Sequence, residues 1–170
     1  MAIVSMPGCP PSQSLVEYTV GAAQNECIYP GILQCLSITG FSVHGLLGTH
    51  VSPGISEDDL DMTFNVLRSG GAIGFPVWYV VGNIPKHFAD IKLKKWNSMT
   101  KIAKEIRSRL NKSASIYMFD VSSLPNSSSG FGLDIFARHG VHGVAFSYGR
   151  AGRSGRQQAP QLINGAFLTY

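Results

Sequence analysis

Residues 56–81, SEDDLDMTFNVLRSGGAIGFPVWYVV, carry the clearest secondary-structure signals of the chain. This stretch begins with Ser56, a residue that caps helices, followed by three acids that suit the positive end of a helix dipole. The apolar residues that follow at helical spacing are Leu60, Phe64 and Leu67. Gly70-Gly71 ends that helix, and residues 77–81 form a short apolar strand. An amphipathic helix followed directly by a buried strand predicts a helix packed on a sheet.

The same pattern continues on both sides of this unit. A second amphipathic helix is predicted over residues 97–110, with an apolar face and a basic face. Predicted strands cover residues 16–20, 32–39, 41–51, 116–121, 141–148 and 162–170, and residues 133–138 are predicted as a short helical turn. We therefore expect an α/β (α+β) fold with a mixed β-sheet or sandwich core and two main amphipathic helices. Residues 1–14 are predicted to be an extended N-terminal segment, and residues 15–170 a single catalytic-type domain.

The amino-acid composition favours some classes of protein and argues against others. The 170 residues are 44% hydrophobic and only 14% charged, with 19 glycines, which favours a sheet-rich globular domain over a helical bundle. The net charge of +4 is too small to indicate nucleic acid as a partner. No apolar run approaches the roughly 20 residues that span a bilayer, so no membrane contact is expected, and a cytoplasmic location or delivery to a host cytosol is predicted. Three cysteines without metal-ligand spacing predict free thiols.

Two cysteine and histidine pairs could carry chemistry. Cys35 lies in an apolar stretch, and His50 follows 15 residues later, so two antiparallel strands joined near Gly40 would bring them side by side. An imidazole beside a thiol can activate it as a nucleophile and later protonate a leaving group. A buried, inert cysteine is the simpler interpretation of such a residue. Cys27 with His44 is a rival pair that spacing does not reject.

The segments Pro30-Gly31-Ile32-Leu33-Gln34-Cys35 and Gly45-Leu46-Leu47-Gly48-Thr49-His50-Val51-Ser52-Pro53 carry a resemblance. Together with the order of elements up to about residue 121, they resemble the CheD-like chemoreceptor glutamine deamidases and, at greater distance, the catalytic domain of the cytotoxic necrotizing factor toxins. The resemblance implies a catalytic Cys35 and His50. It assigns no third group to orient the histidine, because the upstream threonine of the CheD-like enzymes has no counterpart here. A backbone carbonyl, as in the toxin branch, could serve instead.

The expected function is that of a monomeric protein glutamine deamidase in signalling, or of an effector, acting on a glutamine of a partner protein. A related Cys-His protease or transglutaminase is one alternative. A non-enzymatic binding module is another, in which Arg150, Arg153 and Arg156 would bind an acidic protein or nucleic acid. His139 and His142 are interpreted as surface or structural residues. No cofactor and no metal site are predicted.

Overall fold

Two mixed β-sheets and one layer of helices build the protein, as a computed structural model shows. The structure describes residues 8–128, 130–151, 161–162 and 168–170. The predicted α+β fold with a sandwich core and amphipathic helices is confirmed.

The strands divide between a five-stranded and a six-stranded sheet. The first sheet has the order β1-β3-β8-β9-β10. Its strands are β1 (Ser12–Ser14), β3 (Glu26–Ile32), β8 (Leu133–His139), β9 (Val144–Arg150) and β10 (Gln161–Leu162). The second sheet has the order β11-β7-β6-β4-β5-β2. Its strands are β2 (Val20–Ala23), β4 (Leu36–Ser42), β5 (Gly45–Val51), β6 (Val77–Gly82), β7 (Ser115–Asp120) and β11 (Leu168–Thr169).

Three α-helices complete the described fold: α1 (Glu57–Ser69), α2 (Ile84–Asp90) and α3 (Met99–Arg109). The hydroxyl of Ser56 accepts a hydrogen bond from the backbone N–H of Asp59, and Ser98 caps α3 in the same way. The apolar faces of α1 and α3 pack with Trp78 and Trp96 on the second sheet. Both main helices are therefore confirmed, and so is the predicted cap of α1 at Ser56. No helix of the described residues is long and apolar enough to cross a membrane.

The second apolar cluster fills the space between the two sheets. Tyr29 crosses this space, and its hydroxyl lies 2.7 Å from the Thr39 hydroxyl on the other sheet. Gly48 on β5 makes room for that ring, since a Cβ there would lie 2.1 Å from the Tyr29 hydroxyl. The two sheets are therefore tightly packed against each other at the middle of β4 and β5.

Several predicted boundaries are wrong. Residues 133–138 form β8 and not a helical turn, because their side chains alternate between buried and half-buried. Residues 16–19 precede β2 as a loop. Pro30-Gly31 lies within β3. The pairing of β3 with β8 shifts register between Tyr29 and Ile32, so the strand accommodates a proline that has no backbone N–H to donate. The predicted strand over residues 41–51 is interrupted by a turn, since β4 ends at Ser42 and β5 begins at Gly45.

The structure describes only parts of the predicted N-terminal segment and of the last predicted strand. Within the predicted extended segment 1–14, residues 12–14 form β1, which pairs parallel with β3. Of the last predicted strand, residues 162–170, Leu162 belongs to β10 in one sheet and residues 168–169 form β11 in the other. Residues 1–7 lie outside the described part of the chain.

Candidate active site

The β4–β5 pair brings Cys35 and His50 together. In its antiparallel register Ser37 lies opposite His50, so both side chains point to the same face of the sheet. Cys35 precedes Ser37 by two residues and extends the same face, diagonally beside the histidine. The Cys35 sulfur and a ring nitrogen of His50 lie within 4.8 Å of each other. The spacing of 15 residues therefore has the structural consequence expected of it, although the turn lies at residues 43–44 and not near Gly40.

His50 is held in one orientation by the main chain. The residue is 1% exposed, and its Nδ1 lies 3.0 Å from the carbonyl oxygen of Leu15, which accepts a hydrogen bond from the ring. Its Nε2 has no hydrogen-bond partner among the described residues. Burial lowers the pKa of the His50 ring, and the hydrogen bond to the Leu15 carbonyl acts in the opposite direction. His50 is therefore a neutral imidazole near pH 7 whose free nitrogen can accept a proton.

Glu17 is a third group at the site. It lies in the exposed loop before β2, and its Oε1 accepts a hydrogen bond from the Cys35 thiol at 3.3 Å. Burial raises the pKa of the thiol to about 12, and the Glu17 carboxylate adds to the increase. Hydrogen bonds with the Ser52 side chain and the Gln34 backbone act in the opposite direction. In this arrangement the sulfur is a protonated thiol, so any attack by it has to be coupled to loss of its proton.

A pocket of about 490 Å³ gives access to this sulfur. It is lined by Val16, Glu17, Pro30, Gly31, Leu33, Gln34, Cys35 and Phe131. Cys35 is only 2% exposed, and His50 lies behind it in the sandwich, outside the lining. The largely exposed Phe131 supplies an apolar wall at the mouth. A side chain that entered this pocket would meet the sulfur before it met the imidazole.

His87 is a second buried histidine beside the site, and no sequence pattern predicts a role for it. It lies on α2, is 0% exposed, and its Nδ1 is 3.0 Å from the carbonyl oxygen of Gln34, the residue before Cys35. Burial lowers the pKa of His87 to about 4. The signal that indicates α2 is Asn83-Ile84-Pro85, an N-cap followed by a proline in the first turn. This neutral ring fixes the backbone that carries the thiol.

The rival pair is not brought together in a usable form. Cys27 is fully buried between the two sheets, whereas His44 is exposed in the turn between β4 and β5. Burial raises the pKa of the Cys27 thiol to about 12, so this cysteine has the properties of a small core residue. The geometry favours Cys35 with His50.

The other predicted side chains do not join this site. His139 stacks on Phe41 and its Nε2 lies 2.8 Å from the Ser42 carbonyl, as expected of a structural histidine. His142 is exposed in the turn before β9. Arg150 is exposed at the end of β9, while Arg153 and Arg156 lie outside the described residues.

No family model matches this chain, and no curated protein matches it significantly.

Proposed function

We propose that the protein is a thiol-dependent glutamine deamidase that acts on a side-chain amide of a partner protein. One observation carries the proposal: a thiol and a neutral imidazole lie within 4.8 Å at a pocket, and a carboxylate already lies 3.3 Å from the sulfur. A carboxylate is the group that deamidation of glutamine leaves behind. The approach of Glu17 indicates that a side chain with a terminal carboxyl group can reach this sulfur.

The chemistry follows from the roles of the two groups. The amide carbon enters the pocket, Nε2 of His50 takes the thiol proton, and the Cys35 sulfur attacks to form a tetrahedral intermediate. His50 then gives that proton to the departing nitrogen, which leaves as ammonia while a thioester remains. Nε2 of His50 then takes a proton from water, and the resulting hydroxide attacks the thioester. His50 returns that proton to the Cys35 sulfur as the glutamate is released. The Leu15 carbonyl keeps the ring in the tautomer that this sequence requires.

Two features favour an amide over other substrates. Glu17 can accept a hydrogen bond from the NH₂ group of a glutamine, whereas it repels a glutamate carboxylate. The pocket beside Pro30, Gln34 and Phe131 has a volume of about 490 Å³, and the Cys35 sulfur in its lining is only 2% exposed, which suits a single side chain of a folded partner better than a continuous peptide strand. These features support deamidation over peptide cleavage.

The chain offers its own substrate for a test. Replacing Glu17 by Gln puts an amide where the carboxylate lies, so the purified Glu17→Gln protein should convert residue 17 back to glutamate. Mass spectrometry of the peptide that contains residue 17 follows the change from amide to acid with time. Gln13 and Gln24, which belong to the same molecule, report spontaneous deamidation.

The matched control is the double variant Glu17→Gln, Cys35→Ser, which should keep its amide. A stalled thioester between residues 17 and 35, seen as loss of ammonia from the intact protein, would also support attack by the sulfur. A folded Glu17→Gln protein that keeps both its amide and a free Cys35 thiol would overturn the proposal.

A further inference from the structure

The same three side chains have the chemistry of a zinc site. Cys35, His50 and Glu17 present a sulfur, an imidazole nitrogen and a carboxylate oxygen, all within 4.8 Å of one another. Zn²⁺ takes this mixture of ligands at about 2.0–2.3 Å, which places neighbouring ligand atoms about 3.5 Å apart in a tetrahedron. The three atoms therefore need to move by about an ångström, and Glu17 is an exposed, flexible side chain that can do so.

The imidazole supplies independent support. His50 is 1% exposed, its Nδ1 is engaged by the Leu15 carbonyl, and its Nε2 is without a hydrogen-bond partner among the described residues. Histidines that bind metals almost always donate their other ring N–H to a carbonyl or carboxylate, which fixes the lone pair toward the metal. A buried nitrogen without a partner costs free energy unless something binds it. The ring is thus arranged as a ligand.

We propose that Cys35, His50 and Glu17 form a Zn²⁺-binding site with a fourth position open to the pocket. Binding replaces the thiol proton, which is released to solvent, by a bond between the sulfur and zinc. The fourth position faces the 490 Å³ opening and is filled by water or by a ligand atom from a partner. Sequence patterns miss such a site because Glu17 lies 18 residues before Cys35 without a ligand motif.

The site has a consequence that rests on the proposed function. Zinc would occupy the sulfur and the imidazole nitrogen that the deamidation requires, so its binding would switch the reaction off reversibly. Metal binding itself does not depend on that activity. The two proposals can therefore fail separately.

The test uses Co²⁺ as a spectroscopic substitute for zinc in the full-length protein. A cobalt–thiolate bond gives a charge-transfer band in the near ultraviolet, and a tetrahedral site gives intense visible bands. Wild-type protein should show both, and added Zn²⁺ should remove them. Cys35→Ser should lose the charge-transfer band, Glu17→Ala should bind zinc more weakly by on the order of tenfold or more, and the control Cys9→Ser should match wild type.

Protection of the thiol gives a second readout. Bound Zn²⁺ should slow alkylation of Cys35, and a chelator should restore the rate. If Cys35→Ser binds zinc as tightly as wild type, or if cobalt gives no charge-transfer band, binding is adventitious and the proposal is wrong. A cobalt–thiolate band in a protein whose Glu17→Gln variant keeps its amide would retain the metal site and remove the deamidase.

Discussion

Acid should destabilise this protein through His87, and the size of the effect follows from its burial. The ring is 0% exposed and its pKa is lowered to about 4, whereas a histidine in the unfolded chain titrates near its ordinary 6.5. Between these two values the unfolded chain binds a proton at this residue and the folded protein does not. Stability contributed by the neutral ring is therefore complete above about pH 6.5 and is lost as the pH falls toward 4.

The difference between the two pKa values, at roughly 1.4 kcal/mol per unit, corresponds to about 3 kcal/mol of unfolding free energy. The variant His87→Asn removes the titration and keeps a donor for the Gln34 carbonyl. Urea unfolding at about pH 7.5 and about pH 4 measures the loss for each protein. Wild type should lose about 3 kcal/mol more than the variant over this interval.

Two controls separate His87 from the other histidines. The pKa of His50 is lowered as well, so His50 also contributes to the loss of stability in acid. That contribution is the same in wild type and in His87→Asn and therefore cancels when the two proteins are compared. His44 is exposed in a turn, and His44→Asn should lose as much stability as wild type. Equal acid losses in wild type and His87→Asn would refute the assignment of a buried neutral ring beside the site.

Three further predictions concern the site and the fold. Replacing Glu17 by Ala removes an acceptor and a negative charge beside Cys35, so the pKa of the thiol should fall and iodoacetamide should alkylate Cys35 faster than in wild type at the same pH, with Cys9 as the internal reference. An unchanged rate would contradict this. The substitution Gly82→Ala puts a Cβ 2.4 Å from the Cys35 carbonyl oxygen and should cost about 1–3 kcal/mol in thermal or urea unfolding, whereas Gly149→Ala, with its nearest atom at 3.7 Å, should be tolerated. Equal costs would argue against the close approach of β6 to the backbone of Cys35. Replacing Ser56 by Ala removes the cap of α1 and should cost about 1 kcal/mol, measured by the same unfolding experiment, and no loss would mean that the cap is not formed in solution.

Two residues near the thiol, Glu17 and His87, have no recognisable signal in the sequence, and the physical cause is the same for both. Cys35 and His50 are found because they belong to neighbouring strands, and a hairpin converts a short spacing into proximity. Glu17 reaches the thiol from a loop, 18 residues before Cys35. His87 contacts the carbonyl of Gln34 from a short helix, 53 residues later in the chain. The loop has no periodicity, and α2 is too short to show an apolar stripe.

Local signals in the sequence predict the two main helices and several strands of this protein, but leave a single mixed sheet and a sandwich open as alternatives. Helix caps, apolar stripes and short apolar strands are local signals, and they predict α1, α3 and β6 because each depends on residues a few positions apart. Three features are visible only in the folded protein: the pairing of β8 with β3, the Leu15 carbonyl that orients His50, and the hydrogen bond from the Cys35 thiol to the Glu17 carboxylate. Those contacts join distant segments whose approach is set by packing of two sheets, and packing across a sandwich leaves no short-range pattern in the chain.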